Sequence, residues 1–168
     1  MATRRNVVVL GFFGAAAICV PSSAAVAAGD CKASGPEAIG SALLDKYVAA
    51  VNSHDPEAFR EVTAESYIQH SGRSPNGLAA QIENFRGVFS RMPDVRATVE
   101  DRIIACDKVV ARMALSATHT QPLQGISPTG RRFILRTIDI WRVENGKFAE
   151  HWDIVDFPGL QAQLRGGQ

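Results

Sequence analysis

The stretch from Arg131 to Asp156 constrains the chain most. Two long runs rich in Ile, Phe, Trp and Thr flank Glu144-Asn145-Gly146-Lys147. Asn-Gly supplies the positive φ angles of a tight turn whose twist suits two antiparallel strands, so the stretch predicts a long hairpin. Its second arm brings His151, Trp152, Asp153 and Asp156 into six positions. Ionisable groups in an otherwise apolar strand are costly to bury, so they are solvated, paired or functional. The arm reads as the wall of a pocket that the rest of the chain encloses.

The beginning of the chain has a different character. Arg4 and Arg5 precede an apolar run, Val7–Val20, and then Pro21-Ser22-Ser23 and the small residues Ala24–Gly29. This order predicts an export signal over residues 1–28, followed by one domain over 29–168, in a protein that is periplasmic or secreted. Thr3-Arg4-Arg5-Asn6-Val7-Val8 is a loose twin-arginine pattern. The run is short for a membrane span, and no second candidate follows, so no membrane partner is expected after cleavage. About 140 of the 168 residues would remain, enough for one domain that buries about two-thirds of its unfolded surface. Losing Arg4 and Arg5 takes the 18 Lys and Arg to 16 against 17 Asp and Glu, a net charge of −1. Without a basic excess, and with aromatic residues at 7%, a nucleic-acid partner is not expected. Cys31 and Cys106 either pair in an oxidising compartment, or Cys106 is a small buried hydrophobe and Cys31 a free thiol.

Further along, Gly35-Pro36-Glu37 opens a helix with Ile39, Leu43, Leu44, Tyr47, Val48 and Val51 on one stripe. Asp55-Pro56-Glu57 starts a short second helix, and His54 falls in the turn before it as a solvated residue. Glu65–His70 reads as a short strand, and Leu78 to about Met92 as a third helix stopped by Pro93. From Val95 the period becomes two, through a strand to Ala105 and, after a turn at Asp107-Lys108, another from Val109 to His119. Thr120–Gly130 is a Pro- and Gly-rich loop placed to rim a pocket. Residues Phe157–Leu164 make a short terminal segment. Helices followed by long strands give an α+β class: three N-terminal helices laid across a strongly bent antiparallel sheet, as a cone with a cavity at its open end.

Tyr67-x-x-His70, Met92-Pro93-Asp94, Ala117-Thr118-His119, Ile126-Ser127-Pro128-Thr129-Gly130-Arg131 and Asn145-Gly146-Lys147-x-x-Glu150-His151-Trp152-Asp153-x-x-Asp156 stand in this order. Together they resemble the motifs of SnoaL-like polyketide cyclases, within the nuclear transport factor 2-like and ketosteroid isomerase-like cones. The resemblance spans nearly all of residues 36–165. It implies a cone-shaped barrel and an aspartate on the last strand that is general acid/base for an intramolecular aldol closure, with no metal and no cofactor. That position is Asp153. The resemblance also carries over a polar residue at Gln69 or His70 and a histidine at His119. Asp139 stands where some cyclases have histidine, and the export signal is a second departure.

A carboxylate shielded from water can take a proton from a carbon acid and return one to a forming alkoxide, and His70 or His119 could hold the substrate oxygen. Asp153, His70 and His119 are therefore the catalytic candidates. Tyr67, Gln69, Asp139, Trp141, His151 and Trp152 are the candidates for substrate contact. Alternation puts His151, Asp153 and Val155 on one face of the last strand, and Glu150, Trp152, Ile154 and Asp156 on the other. Which face is inside stays open, and Asp153 is a pocket acid, a solvated residue, or one paired with an arginine such as Arg136 or Arg142. Metal-binding motifs and a phosphate loop are missing from the sequence. The function expected is a cofactor-independent cyclase or isomerase acting on a small hydrophobic carbonyl compound. A non-catalytic binding protein for a small hydrophobic ligand is the alternative. A homodimer through an outer sheet face that includes Trp141 is also expected.

Overall fold

Asn145 and Gly146 adopt φ of 49° and 71°, the pair of positive angles that a tight hairpin turn requires. The structure, a computed structural model, describes residues 35–166. The expected export signal and Cys31 lie outside the described residues. In chain order the elements are α1 (Gly35–Ser53), a 3-10 helix (Pro56–Glu61), β1 (Thr63–Gln69), α2 (Leu78–Arg91), β2 (Arg96–Ala105), β3 (Lys108–Thr118), β4 (Arg132–Glu144), β5 (Lys147–Val155) and α3 (Phe157–Arg165). Among the described residues no helix is long and apolar enough to cross a membrane.

The five strands form one sheet in the order β1-β5-β4-β3-β2. The pairs β2–β3, β3–β4 and β4–β5 are antiparallel, as expected, but β1 joins β5 in parallel, so the sheet is mixed. The reason is topological. β1 reaches the edge of β5 from the helical side of the chain, not through a hairpin. Three irregularities of register bend the sheet, one each in the β1–β5, β2–β3 and β4–β5 pairs. In β2 the partner sequence passes from Val99↔Met113 to Asp101↔Arg112, leaving Glu100 as the extra residue. Such a bulge inverts the facing of everything after it. Ala97 is buried before the bulge, whereas Ile103 is 64% exposed beyond it and Ile104 packs on the core.

β4 keeps a strict alternation. Phe133, Leu135, Thr137, Asp139 and Trp141 are buried, and the residues between them are exposed. The helices cover this inner face. Leu43, Leu44, Tyr47 and Val51 of α1 are buried in the core, while Ile39 stands 47% exposed at the end of the expected stripe. Tyr47 meets Phe59, Phe85, Phe148 and Trp141 at ring distances of 5.1–6.2 Å. His54 is not solvated as expected. Its Nε2 lies 2.8 Å from the Val95 carbonyl and its ring meets Phe89 edge-on. α3 closes the sequence against β4, where the Gln163 side chain accepts from the Ile134 N–H and donates to the Ile134 carbonyl, both at 2.9 Å.

The contact of α1 with the sheet is tightest at Gly40. A Cβ there would lie 2.9 Å from Cγ2 of both Ile104 and Val109. These are branched methyls close to the backbone, with little freedom to move aside. Ala has the better helix propensity by about 1 kcal/mol, but overpacking costs about 1–3 kcal/mol. Gly40→Ala is therefore expected to lower stability, by about 1–2 kcal/mol at most, in urea unfolding. An increase in stability would show that α1 can move off the sheet.

Candidate active site

β4 and β5 present three cross-strand pairs to the interior: Thr137 opposite Val155, Asp139 opposite Asp153, and Trp141 opposite His151. The inward face of β5 is thus the one carrying His151, Asp153 and Val155. All three line a cavity of about 430 Å³ enclosed by the inner sheet face, α2, the loop between β1 and α2, and the start of α3. Pro122, Leu123 and Gln124 of the β3–β4 loop form part of its rim, the place expected for that loop. Much of the wall is apolar, including Val51, Phe85, Met113 and Leu135.

Hydrogen-bond directions can be assigned from one fixed donor. The backbone N–H of Ser71 donates to Gln69 Oε1 at 3.1 Å, which leaves the amide nitrogen of Gln69 facing His151. That nitrogen donates to His151 Nδ1 at 2.9 Å. Nδ1 is then an acceptor, so the neutral ring carries its hydrogen on Nε2 and donates to Asp139 Oδ1 at 3.0 Å. Thr137 Oγ1 donates to Asp139 Oδ2. Both oxygens of Asp139 and both nitrogens of His151 are occupied. Trp141 stacks on His151 at 4.9 Å with planes 7° apart and holds the ring in place.

Asp153 is satisfied on one side only. Arg73 donates from Nη2 to Asp153 Oδ2. Asp153 Oδ1 is buried without a hydrogen-bond partner. The side chain of Asp153 is 6% exposed and that of Arg73 41%, so the pair runs from the interior to the mouth. Arg136 and Arg142, the partners considered from sequence, are engaged with Glu100 and with Glu144 and Glu150. Arg73 comes from the loop after β1, which Asn76 anchors by accepting from the Gln69 N–H at 2.9 Å. A second buried polar atom lining the cavity, Gln81 Oε1, also lacks a partner.

Tyr47 lines the cavity, and its phenol is pushed up by burial first, then by the charge of Asp139 and by Tyr67. Tyr67 is raised for the same leading reasons, burial and Asp139. The Trp141 indole N–H faces Tyr67 and opposes that rise without closing a hydrogen bond of ordinary geometry. Both phenols therefore remain donors.

The sequence candidates divide by face. Gln69, Asp139, His151 and Asp153 line the cavity. Tyr67 and Trp141 are buried behind it, Tyr67 1% exposed and Trp141 fully covered. Trp141 is thus a core residue, and the outer sheet face expected to include it does not. His70 and Trp152 lie on the outer face by alternation, stacked at 4.4 Å, with His70 Nε2 2.8 Å from Glu150. His119 falls one residue past β3, where the Thr129 N–H donates to its Nδ1 at 3.2 Å and fixes the loop. Its Nε2 is buried without a partner, away from the cavity wall. Neither His70 nor His119 touches the cavity that contains Asp153. Tyr47, Arg73 and Gln81 were not singled out from sequence. A helical core stripe hides Tyr47, and a Ser- and Gly-rich loop gives no sign of where Arg73 reaches.

Asp139, His151 and Asp153 each bring one donor atom within 4.8 Å of the others. By type they could ligate a divalent ion. The fit is poor, because Asp139 and His151 already bond each other and the Arg73 cation occupies Asp153.

A family model for SnoaL-like polyketide cyclases matches residues 41–164. The chain belongs to the SnoaL-like polyketide cyclase family. It is 33% identical over 124 residues to nogalonic acid methyl ester cyclase of Streptomyces nogalater, covering 72% of this chain and 82% of the relative. Aklanonic acid methyl ester cyclase of Streptomyces sp. strain C5 is 29% identical over 133 residues, covering 73% and 79%. Among solved structures, TsrD from Streptomyces laurentii superposes with a TM-score of 0.73 at 32% identity, covering 80% of this SnoaL-like chain and all of TsrD. The curled mixed sheet is the nuclear transport factor 2-like cone of these neighbours, and family membership supports a function of cyclase or isomerase type.

On the outer face, hydrogen bonds from His70 and then Arg142 hold the Glu150 carboxyl below its ordinary value of 4.5. A carboxylate depressed in the folded state stabilises it above the unfolded pKa, and that contribution is lost as pH falls through the folded value. Glu150→Gln should flatten the acid limb of the stability curve below about pH 4.5. An acid limb identical to wild type in urea titrations would show that the cluster is not held in solution.

Proposed function

We propose that this chain is a cofactor-independent cyclase in which Asp153 is the general acid/base for ring closure of a small, largely apolar carbonyl compound. One observation carries the reading: Asp153 Oδ1 is a buried carboxylate oxygen without a partner, on the wall of a mostly apolar cavity. Oδ1 takes a proton from the carbon next to a carbonyl. The resulting enolate carbon attacks a second carbonyl carbon of the same molecule, a carbon–carbon bond forms, and the new alkoxide takes the proton back from Asp153. The proton is returned, so the step requires no outside oxidant or reductant.

The surroundings support this division of labour. Arg73 holds Oδ2 and leaves Oδ1 to the substrate. Asp139 and His151 are saturated and position the wall. Tyr47, kept protonated by burial, is the donor suited to the enolate oxygen. Gln81 offers a further polar contact. Such a positioned acid/base contributes about 10²–10⁴ in rate.

The expected export is also proposed. A disulfide at Cys106, whose partner lies outside the described residues, agrees with an oxidising compartment. The expected homodimer is supported by the outer sheet face, where Ile134, Ile138 and Ile154 stand exposed. A solution mass of a single chain by light scattering would remove that part.

Asp153→Asn assayed on β-keto esters that carry a second carbonyl should lose about 10²–10⁴ in kcat with the circular dichroism spectrum unchanged. Turnover equal to wild type would end the assignment, and binding without turnover in the wild type would favour a binding protein.

A further inference from the structure

Arg73 and Arg91 stand together at the mouth of the cavity. Both also border a shallower hollow of about 390 Å³ beside it, with Ser74, Asn84 and Gly87. Arg73 bonds Asp153 through Nη2 and lies 5.9 Å from the centre of the Phe157 ring. Glu83, the acid that borders the hollow, is paired with Arg86 at 2.5 Å. Arg91 has no carboxylate partner among the described residues. At the opening, then, among the described residues, Arg73 and Glu83 each have an ion-pair partner and the Arg91 guanidinium does not.

Arg91 folds back over Gly87, one turn earlier on α2. A Cβ added at Gly87 would lie 3.2 Å from Arg91 Nη1. The guanidinium thus lies close over the helix at Gly87, where a Cβ would press on it.

We infer that this mouth is a subsite for a free carboxylate of the substrate, an inference that rests on reading the cavity as the reaction site. A guanidinium presents planar paired donors that match a carboxylate, and two of them at one opening can grip both of its oxygens. The apolar body of the molecule fills the interior while the carboxylate stays at the wetter rim. Because Arg73 also holds Asp153, the subsite places a carbonyl near the carboxylate within reach of Oδ1. The two curated relatives are named for methyl esters. An ester carries no charge for Arg91 to meet, so this subsite would set the chain apart from them.

The test is calorimetric titration of the full chain near pH 7 and at low salt with 2-naphthoate, its methyl ester and 2-naphthyl phosphate. The acid should bind about tenfold tighter than the ester, since hydrogen bonds to charged groups are the stronger kind. Arg91→Gln should weaken the acid about threefold to tenfold and leave the ester unchanged, the smaller figure reflecting an exposed cation. Added salt should act in the same direction. Asp153→Asn, which frees Arg73 from its carboxylate, should tighten the acid. Equal affinity for acid and ester, equal losses of both in Arg91→Gln, or tighter binding of the phosphate would overturn the inference. None of these arms depends on turnover, so full activity in Asp153→Asn would remove the acid/base role without touching the carboxylate subsite.

Discussion

Asp139 and Asp153 face each other across β4 and β5 inside the cone. Two carboxylates directly opposite on one face of a sheet repel, and burial raises the cost of each charge. Much of the surrounding structure answers that constraint. Thr137 and His151 donate to Asp139, Gln69 fixes the tautomer of His151, and the Ser71 N–H fixes the amide of Gln69. Arg73 answers Asp153 from across the mouth. Gln69 closes β1, 82 residues from His151, and Ser71 and Arg73 both come from the loop that follows it, Arg73 80 residues from Asp153.

The two carboxylates end up unlike each other. Asp139 has both oxygens bonded, and after burial it is the next contributor to the raised phenols of Tyr47 and Tyr67. Asp153 keeps one oxygen unbonded. His151 likewise has both ring nitrogens bonded, one to Gln69 and one to Asp139. Register irregularities matter as much as chemistry here. They curl the sheet around its inner face, so that residues from β1, β3, β4 and β5 can line one cavity that α2 and α3 close.

The architecture was largely legible in the sequence, because its signals are local. Asn145-Gly146 specified the hairpin, the period-two run specified β4, and the stripe from Leu43 to Val51 specified the buried face of α1. Long-range features were not legible. Nothing in Glu65–His70 distinguishes a parallel partner from an antiparallel one. Nothing before Glu100 announces a bulge that turns Ile103 outward. Within the site, the family resemblance pointed to Asp153, but alternation left open which face of the last strand is inside, and the resemblance also promoted His70 and His119. His70, one residue past β1, faces Glu150 80 residues away, and His119 is captured by Thr129 across the β3–β4 loop; neither contact can be read from the motif itself. Arg73 was missed for the same reason, since a cation in a turn-forming loop looks like a solvated surface residue until the fold brings Asp153 to it.

The central claim is that Asp153 moves a proton at a carbon next to a carbonyl. Proton NMR of a β-keto ester in deuterium oxide measures this step without needing the natural substrate. The wild-type chain is predicted to accelerate loss of the signal from the carbon between the two carbonyls well above the buffer rate, and Asp153→Asn to return it to that rate. Exchange at the buffer rate with wild type, or undiminished acceleration with Asp153→Asn, would contradict the account.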